Sequence, residues 1–228
     1  MAQNNDEVLK QRILSVVDDI SVDWIKEKFN EFVRLMTYYR CAMTDIETKF
    51  NVLNEEYSLA YDRNPISSIK TRLKSFPSIS EKLSRKGISN DIDSIEKNLN
   101  DVAGVRVICS FLEDVYSLAD ALLKQDDIIL IEKKDYIKNP KPNGYRSLHI
   151  IVGIPKFLAH EKRVMKVEIQ LRTIAMDFWA SLEHQLRYKK ETTFTADMAK
   201  ELLNCAELSA ELDNKMDSLR KAVLKDNS

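Results

Sequence analysis

Apolar residues first recur in steps of four and three along the N-terminal third, at Ile25, Phe29, Phe32, Met36, Tyr39, Met43, Ile46, Phe50 and Leu53. That spacing predicts a long helix carrying a heptad seam, with Asp19 or Ser21 as candidate caps at its start. A second seam closes the chain at Met198, Leu202, Cys205, Ser209, Leu212, Met216, Leu219 and Val223, where Cys205 and Ser209 weaken it without breaking it. Each seam can be read in two ways: it packs on the chain's own core, or it pairs with a second copy.

Between the helices the period changes from seven to two. In "VRVICSF", Val105, Val107, Cys109 and Phe111 alternate with Arg106, Ile108 and Ser110. "DIILIE" and "SLHIIVGI" predict further strands, the latter ended by Pro155. The clearest is "RVMKVEIQLRT", with Val167, Ile169 and Leu171 on one face and Lys166, Glu168, Gln170 and Arg172 on the other. Its continuous apolar face marks it as a central strand. A helix follows, capped by Thr173 and burying Ala175, Trp179, Leu182 and Leu186. Upstream, "PISSIKTRLKSFPSISEKLSRKG" reads as a strand or helix edge, a break at Pro77 and a helix closed by Gly87. The expected fold is α+β: a mixed β-sheet of about five strands flanked by helices. Three parts follow: an N-terminal helical segment over 1–63, a core over 64–190 and a C-terminal helix over 191–228.

Composition narrows the chemistry. The 228 residues are 44% hydrophobic and carry a net charge of −1, so any anion site is local rather than a global basic field. Cys41, Cys109 and Cys205 are scattered and lack metal-ligand spacing, which fits a reducing cytoplasmic setting. No apolar run approaches the ~20 residues of a membrane span, and the polar start, MAQNNDEVLKQ, does not read as a signal peptide.

Locally the picture is different. Lys70, Arg72, Lys74, Lys82, Arg85 and Lys86 share a short stretch with a single acid, Glu81. Such a cluster is either a solvated face or a seat for a polyphosphate. Asp101 precedes a strand, with Gly104 beside it to let the backbone turn. Glu168 stands on the polar face of the central strand. It either forms a salt bridge to Arg106 or Lys166, or joins Asp101 in holding a divalent ion and taking a proton from a hydroxyl. The loop "KNPKPNGYRSLH" adds Lys134, Lys138, Lys141 and Arg146 as a positive rim, and His149 just beyond. Tyr145 in that loop either plugs it onto the core or offers a stacking face to a base.

Five segments, "RLKSFPSISEKL", "DVAGVRVIC", "KDYIKNPKPNGYRSLH", "VEIQLRT" and "MDFWASLEHQLRYK", occur in an order that strongly resembles the synthetase domain of the RelA/SpoT family. Length and flanks resemble the small alarmone synthetases. The resemblance implies a nucleotidyltransferase-like fold and Mg²⁺-dependent transfer of pyrophosphate from ATP to GDP or GTP, making (p)ppGpp and AMP in the stringent response.

By position, the resemblance also implies roles. Asp101 would bind metal, and Glu168 would assist it and activate the acceptor 3′-hydroxyl. Arg72 and Arg106 would sandwich adenine, with Lys74, Lys82 and Arg85 at the ATP phosphates. Tyr145 would stack on guanine, while Lys134, Lys141 and His149 would contact the acceptor. Glu183 would belong to the ATP side of the cleft and Asp177 to the guanine side. The end helices would build a homo-oligomer, a tetramer by resemblance.

Only three histidines are present, with no His-Asp doublet, so no hydrolase activity is expected. Glu132 stands where many long members carry arginine. GDP-versus-GTP preference, and regulation by RNA or by (p)ppGpp, stay open at this point. So do a pyrophosphokinase acting on tRNA 3′ ends or adenosine nucleotides, and a non-catalytic module binding single-stranded RNA.

Overall fold

The computed structural model describes residues 2–61, 63–158, 161–188 and 194–226, the backbone alone at 2–21, 23, 25, 61, 158, 187–188 and 224–226. Eleven elements run in chain order: α1 (Ala2–Tyr61), β1 (Ile66–Leu73), α2 (Phe76–Arg85), α3 (Ile92–Asn98), β2 (Ala103–Cys109), α4 (Leu112–Leu123), β3 (Ile129–Asp135), β4 (Leu148–Leu158), β5 (Glu161–Thr173), α5 (Ile174–Tyr188) and α6 (Ala196–Asp226). The strands form one mixed sheet in the order β1-β2-β5-β4-β3. Only β2 and β5 are parallel. The expected α+β class, five-stranded sheet and central β5 are all found.

Strand parity divides the sheet into a buried face and an open one. Val105, Val107, Cys109, Ile150, Val152, Val167, Ile169 and Leu171 are buried. They form one core with Leu35, Tyr38, Tyr39, Ala42, Ile46, Phe50 and Leu53 of α1 and Val115, Leu118 and Leu122 of α4. The second half of the N-terminal seam therefore packs on its own sheet. Nearer its start, Phe29 is exposed, as are Trp24 and Val33 beside the seam, while Phe32 is partly buried against the core. The C-terminal seam also faces outward at Leu212, Met216, Leu219 and Val223. The inward side of α6 is instead small or polar, with Ala206 buried, Asp213 accepting from Thr173 (2.6 Å) and Arg220 pairing with Glu113 and Asp217.

Several local expectations need correction. Helix α1 runs unbroken through Asp19 and Ser21, so neither caps it. Pro77 does not interrupt a helix. It occupies the first turn of α2, where its missing N–H costs nothing, and Gly87 (φ 67°) ends that helix as expected. Pro155 does not end β4, which continues to Leu158 paired only with β5. The β3 pairing stops at Gly153, so Pro155 lies on a free edge that needs no donor. Gly104 makes no turn, since it is an ordinary strand residue of β2. Thr173 does cap α5, its Oγ1 accepting from the Met176 N–H. That helix, however, buries Met176, Trp179 and Ala180, while Leu182 and Leu186 are exposed with Ile174 and Phe178. Among the described residues no helix is long and apolar enough to cross a membrane.

Candidate active site

The open face of the sheet carries polar side chains because strand register aligns them in rows. One row reads Lys70, Arg106, Gln170, His149 and Lys134 across β1, β2, β5, β4 and β3. The next reads Arg72, Gly104, Glu168 and Ile151. With no side chain at Gly104, the floor between Arg72 and Glu168 stays open. A cleft of about 460 Å³ fills this space, lined by Lys70, Arg72, Lys74, Asp101, Arg106 and Glu168 among others.

Asp101 leads into β2 and meets two lysines. Lys74 Nζ from the end of β1 and Lys82 Nζ from α2 both donate to Asp101 Oδ2, at 2.5 and 2.6 Å. Burial alone would raise the Asp101 pKa, but the two ammoniums outweigh it and hold the carboxyl below its usual range. Its other oxygen, Oδ1, is buried and has no hydrogen-bond partner. A carboxylate oxygen in that position costs about 1–3 kcal/mol unless something binds it.

Glu168 is also ionised at neutral pH. Burial pushes its pKa up, and the His149 ring and the Gln170 amide pull it further down, against the nearby charge of Asp101. His149 Nδ1 lies 3.5 Å from Glu168 Oε1, and Gln170 Nε2 donates to Oε2 at 3.0 Å. Neither Arg106 nor Lys166 pairs with it. Arg106 bonds Asp177, and Lys166 bonds the carbonyl of Lys97.

Two ionised acids with one free carboxylate oxygen, set among lysines, suit a hard divalent cation that draws its remaining ligands from water and phosphate. Among the described residues no third His, Cys, Asp or Glu joins them in a self-sufficient metal cage.

The tyrosine loop forms the far wall. Gly144 takes φ 88° and packs under α6, so the turn is fixed against that helix. Tyr145 is half-buried beside Trp179, Ala180 and Ala206. Its ring carries two cations, the buried Arg172 at 5.1 Å and the exposed Lys141 at 4.8 Å. Lys141 also lies 4.7 Å from the ring of Tyr136. The remaining rim disperses. Lys134 pairs with Glu132, Lys138 sits over Tyr116, and Arg146 turns inward to the carbonyl of Ile137. Arg85 is exposed on α2.

The two acids of α5 meet different groups. Asp177 accepts from Lys70 of β1, Arg106 of β2 and Arg172 of β5. Glu183 accepts from Asn143 and so belongs beside the tyrosine loop. The first turn of α5 lies over β2, and only its later turns reach the loop. Sequence reasoning passed over Gln170, Arg172 and Tyr136 as site residues. For the first two the signal was their shared parity with Glu168 on β5.

An α+β scaffold whose open face presents paired acids inside a ring of lysines and arginines is the scaffold of an enzyme for phosphorylated substrates. The sequence profile described as the region found in RelA / SpoT proteins matches residues 71–193. GTP pyrophosphokinase YwaC of Bacillus subtilis is 42% identical over 208 residues, covering 90% of this chain and 99% of that one. The chain belongs to the RelA/SpoT family.

Solved structures agree. The small alarmone synthetase 2 of Bacillus subtilis superimposes with a TM-score of 0.74 at 43% identity, covering 82% of this chain and 96% of that one. The small alarmone synthetase 1 of the same organism, bound to its product pppGpp, gives a TM-score of 0.77 at 33% identity, covering 85% and 98%.

Proposed function

We propose that this chain is a Mg²⁺-dependent GTP pyrophosphokinase that moves pyrophosphate from ATP onto the 3′-hydroxyl of GDP or GTP, making (p)ppGpp for the stringent response in the cytoplasm. The observation that carries this reading is the cleft where Asp101, with its unpartnered oxygen, and Glu168 face a ring of cations. Relatives that are GTP pyrophosphokinases, and a solved neighbour holding pppGpp, support it.

Asp101 and Glu168 hold the Mg²⁺, which when bound neutralises phosphate charge. Lys74, Lys82, Arg85 and Arg72 receive ATP with Arg106, and Asp177 fixes the direction of Arg106. Lys134, Lys141, Tyr145 and His149 receive the acceptor, and Glu183 steadies the turn through Asn143. Glu168 takes the 3′-hydroxyl proton as that oxygen bonds the β-phosphorus. The bond from the α,β-bridging oxygen to the β-phosphorus breaks, and AMP leaves with its electron pair. Transfer of this kind depends on in-line placement and charge neutralisation more than on covalent help from the protein. The outward seam of α6, with exposed Trp24, Phe29 and Val33 on α1, supports a homo-oligomer.

The test is incubation of the purified protein with ATP, GDP and Mg²⁺, separating the nucleotides. AMP and a 3′-pyrophosphorylated guanine nucleotide should appear together, and chelation of the metal should stop both. Glu168→Gln should abolish turnover while leaving ATP binding intact; an active Glu168→Gln variant removes the base assignment. Offering tRNA and adenosine nucleotides as acceptors in parallel separates the neighbouring activities.

A further inference from the structure

Four hydrogen bonds and one longer polar contact link five side chains on the open face into a ring. Arg172 Nη2 donates to the Tyr145 hydroxyl at 2.6 Å and to Gln170 Oε1 at 2.8 Å. The Tyr145 hydroxyl meets His149 Nε2 at 2.7 Å. His149 Nδ1 faces Glu168 Oε1 at 3.5 Å, and Gln170 Nε2 donates to Glu168 Oε2 at 3.0 Å. Arg172 is only 4% exposed, and its Nη1 is held from behind by Asp177 at 3.3 Å.

The direction of every link follows from Arg172. A guanidinium can only donate. The Tyr145 oxygen therefore accepts from it, which leaves the phenolic proton for His149 Nε2. With Nε2 accepting, a neutral imidazole carries its proton on Nδ1, toward Glu168. The Gln170 amide is fixed in the same way. Its oxygen must face the guanidinium, so its NH₂ faces the other carboxylate oxygen. Both protons of a single nitrogen thus start two chains that end on the two oxygens of one carboxylate.

We propose that Arg172 and the hydroxyl of Tyr145 are positioning residues for Glu168. They fix the His149 tautomer and the Gln170 amide so that Glu168 meets the acceptor with its plane held by neutral side-chain donors and no lysine or arginine bonded to it. Tyr145 then has two separable parts, a ring and a hydroxyl. The inference rests on the reading above that Glu168 serves the acceptor hydroxyl.

The experiment uses Tyr145→Phe, which keeps the ring, and Arg172→Lys, which keeps the charge but not the fork. Steady-state kinetics with ATP and GDP should show kcat lowered about tenfold or more in each, as expected when a reacting group loses its orientation. KM for both nucleotides should stay within about twofold, as expected when ground-state binding is unchanged. The double variant should lose no more than Arg172→Lys alone, because residues acting as one unit are not additive. A kcat unchanged in Tyr145→Phe, a loss confined to the GDP KM, or additive losses overturns the proposal.

A second readout does not depend on turnover. With three histidines in the chain, ¹⁵N-histidine spectra report the His149 tautomer directly. The wild type should show Nδ1–H, and both variants a mixture. An Nε2–H form in the wild type overturns the proposal even if no product is made, whereas an inactive wild type with the Nδ1–H form counts against the reading of Glu168 and leaves the ring standing.

Discussion

Gly144→Ala separates the role of the tyrosine turn from that of its side chains. Gly144 has φ 88°, and a Cβ built there would meet Ala206 Cβ at 2.5 Å and Leu203 Cδ1 at 3.1 Å. The left-handed backbone costs an L-residue about 1–2 kcal/mol. The contact with Ala206 falls roughly 1 Å inside ordinary carbon–carbon separation, and such overpacking costs about 1–3 kcal/mol more. The total of about 2–5 kcal/mol corresponds to a melting point lower by roughly 4–20 °C for a chain of this size.

If the loop gives way instead of α6, the cost moves to catalysis, since a displacement of about 1 Å in a reacting group can lose on the order of 10²-fold in rate. Thermal melting and kinetics on the same sample separate these outcomes. Ala206→Gly supplies the control. Alone it loses about 1 kcal/mol of helix propensity. Combined with Gly144→Ala it removes the closer of the two steric contacts and leaves the backbone share and the approach to Leu203, so the pair should be more stable than the sum of the single losses. A Gly144→Ala protein that melts and turns over like the wild type, or a strictly additive pair, refutes the claim that α6 sets the turn.

Three further outcomes are expected. Asp114 is 1% exposed and holds Arg63 through both oxygens. Asp114→Ala should therefore destabilise by about 3 kcal/mol, the low end for a broken buried pair because Arg63 is partly solvated, read by denaturant titration. Burial raises the pKa of Asp213, assisted by Asp217 and opposed by Thr173 and Arg146. Its ionised form thus penalises the fold, and stability is lost as pH rises from the ordinary carboxylate pKa through the raised one. Asp213→Asn should melt higher than the wild type at neutral pH, with the difference gone below about pH 3.9. Leu212 and Leu219 are 55% and 60% exposed on α6, so the paired change Leu212→Glu/Leu219→Glu should shift the protein to a smaller species in light scattering while its melting point holds.

The period-two pattern of β5 was the most legible feature, because alternation over a buried strand admits one assignment of faces. It yielded the central strand and Glu168, and it put Gln170 and Arg172 on the same face without marking them as site residues. The Thr173 cap and the Gly87 stop were equally readable, since each is local chemistry. What failed depended on neighbours. Pro155 reads as a strand end until β3 is known to stop at Gly153. The stripe read at 175, 179, 182 and 186 in α5 holds at Trp179 and fails at Leu182 and Leu186, because it is the 176, 179 and 180 side that is buried. The ring through Tyr145 and His149 was out of reach, because its closure depends on the register that sets His149 opposite Gln170. The partners of Asp177 and Glu183 were out of reach for a related reason: sequence separation along a helix does not say which strand lies beneath each turn.

Alternation in β5 also bears on how this chain can change length. Deleting or inserting one residue just after Lys166 would reverse the faces of Glu168, Gln170 and Arg172 against those of Ile169 and Leu171 in a single step. Indels in this stretch are tolerable only in pairs, whereas the free end of β4 beyond Gly153, paired on one side alone, can absorb a single one.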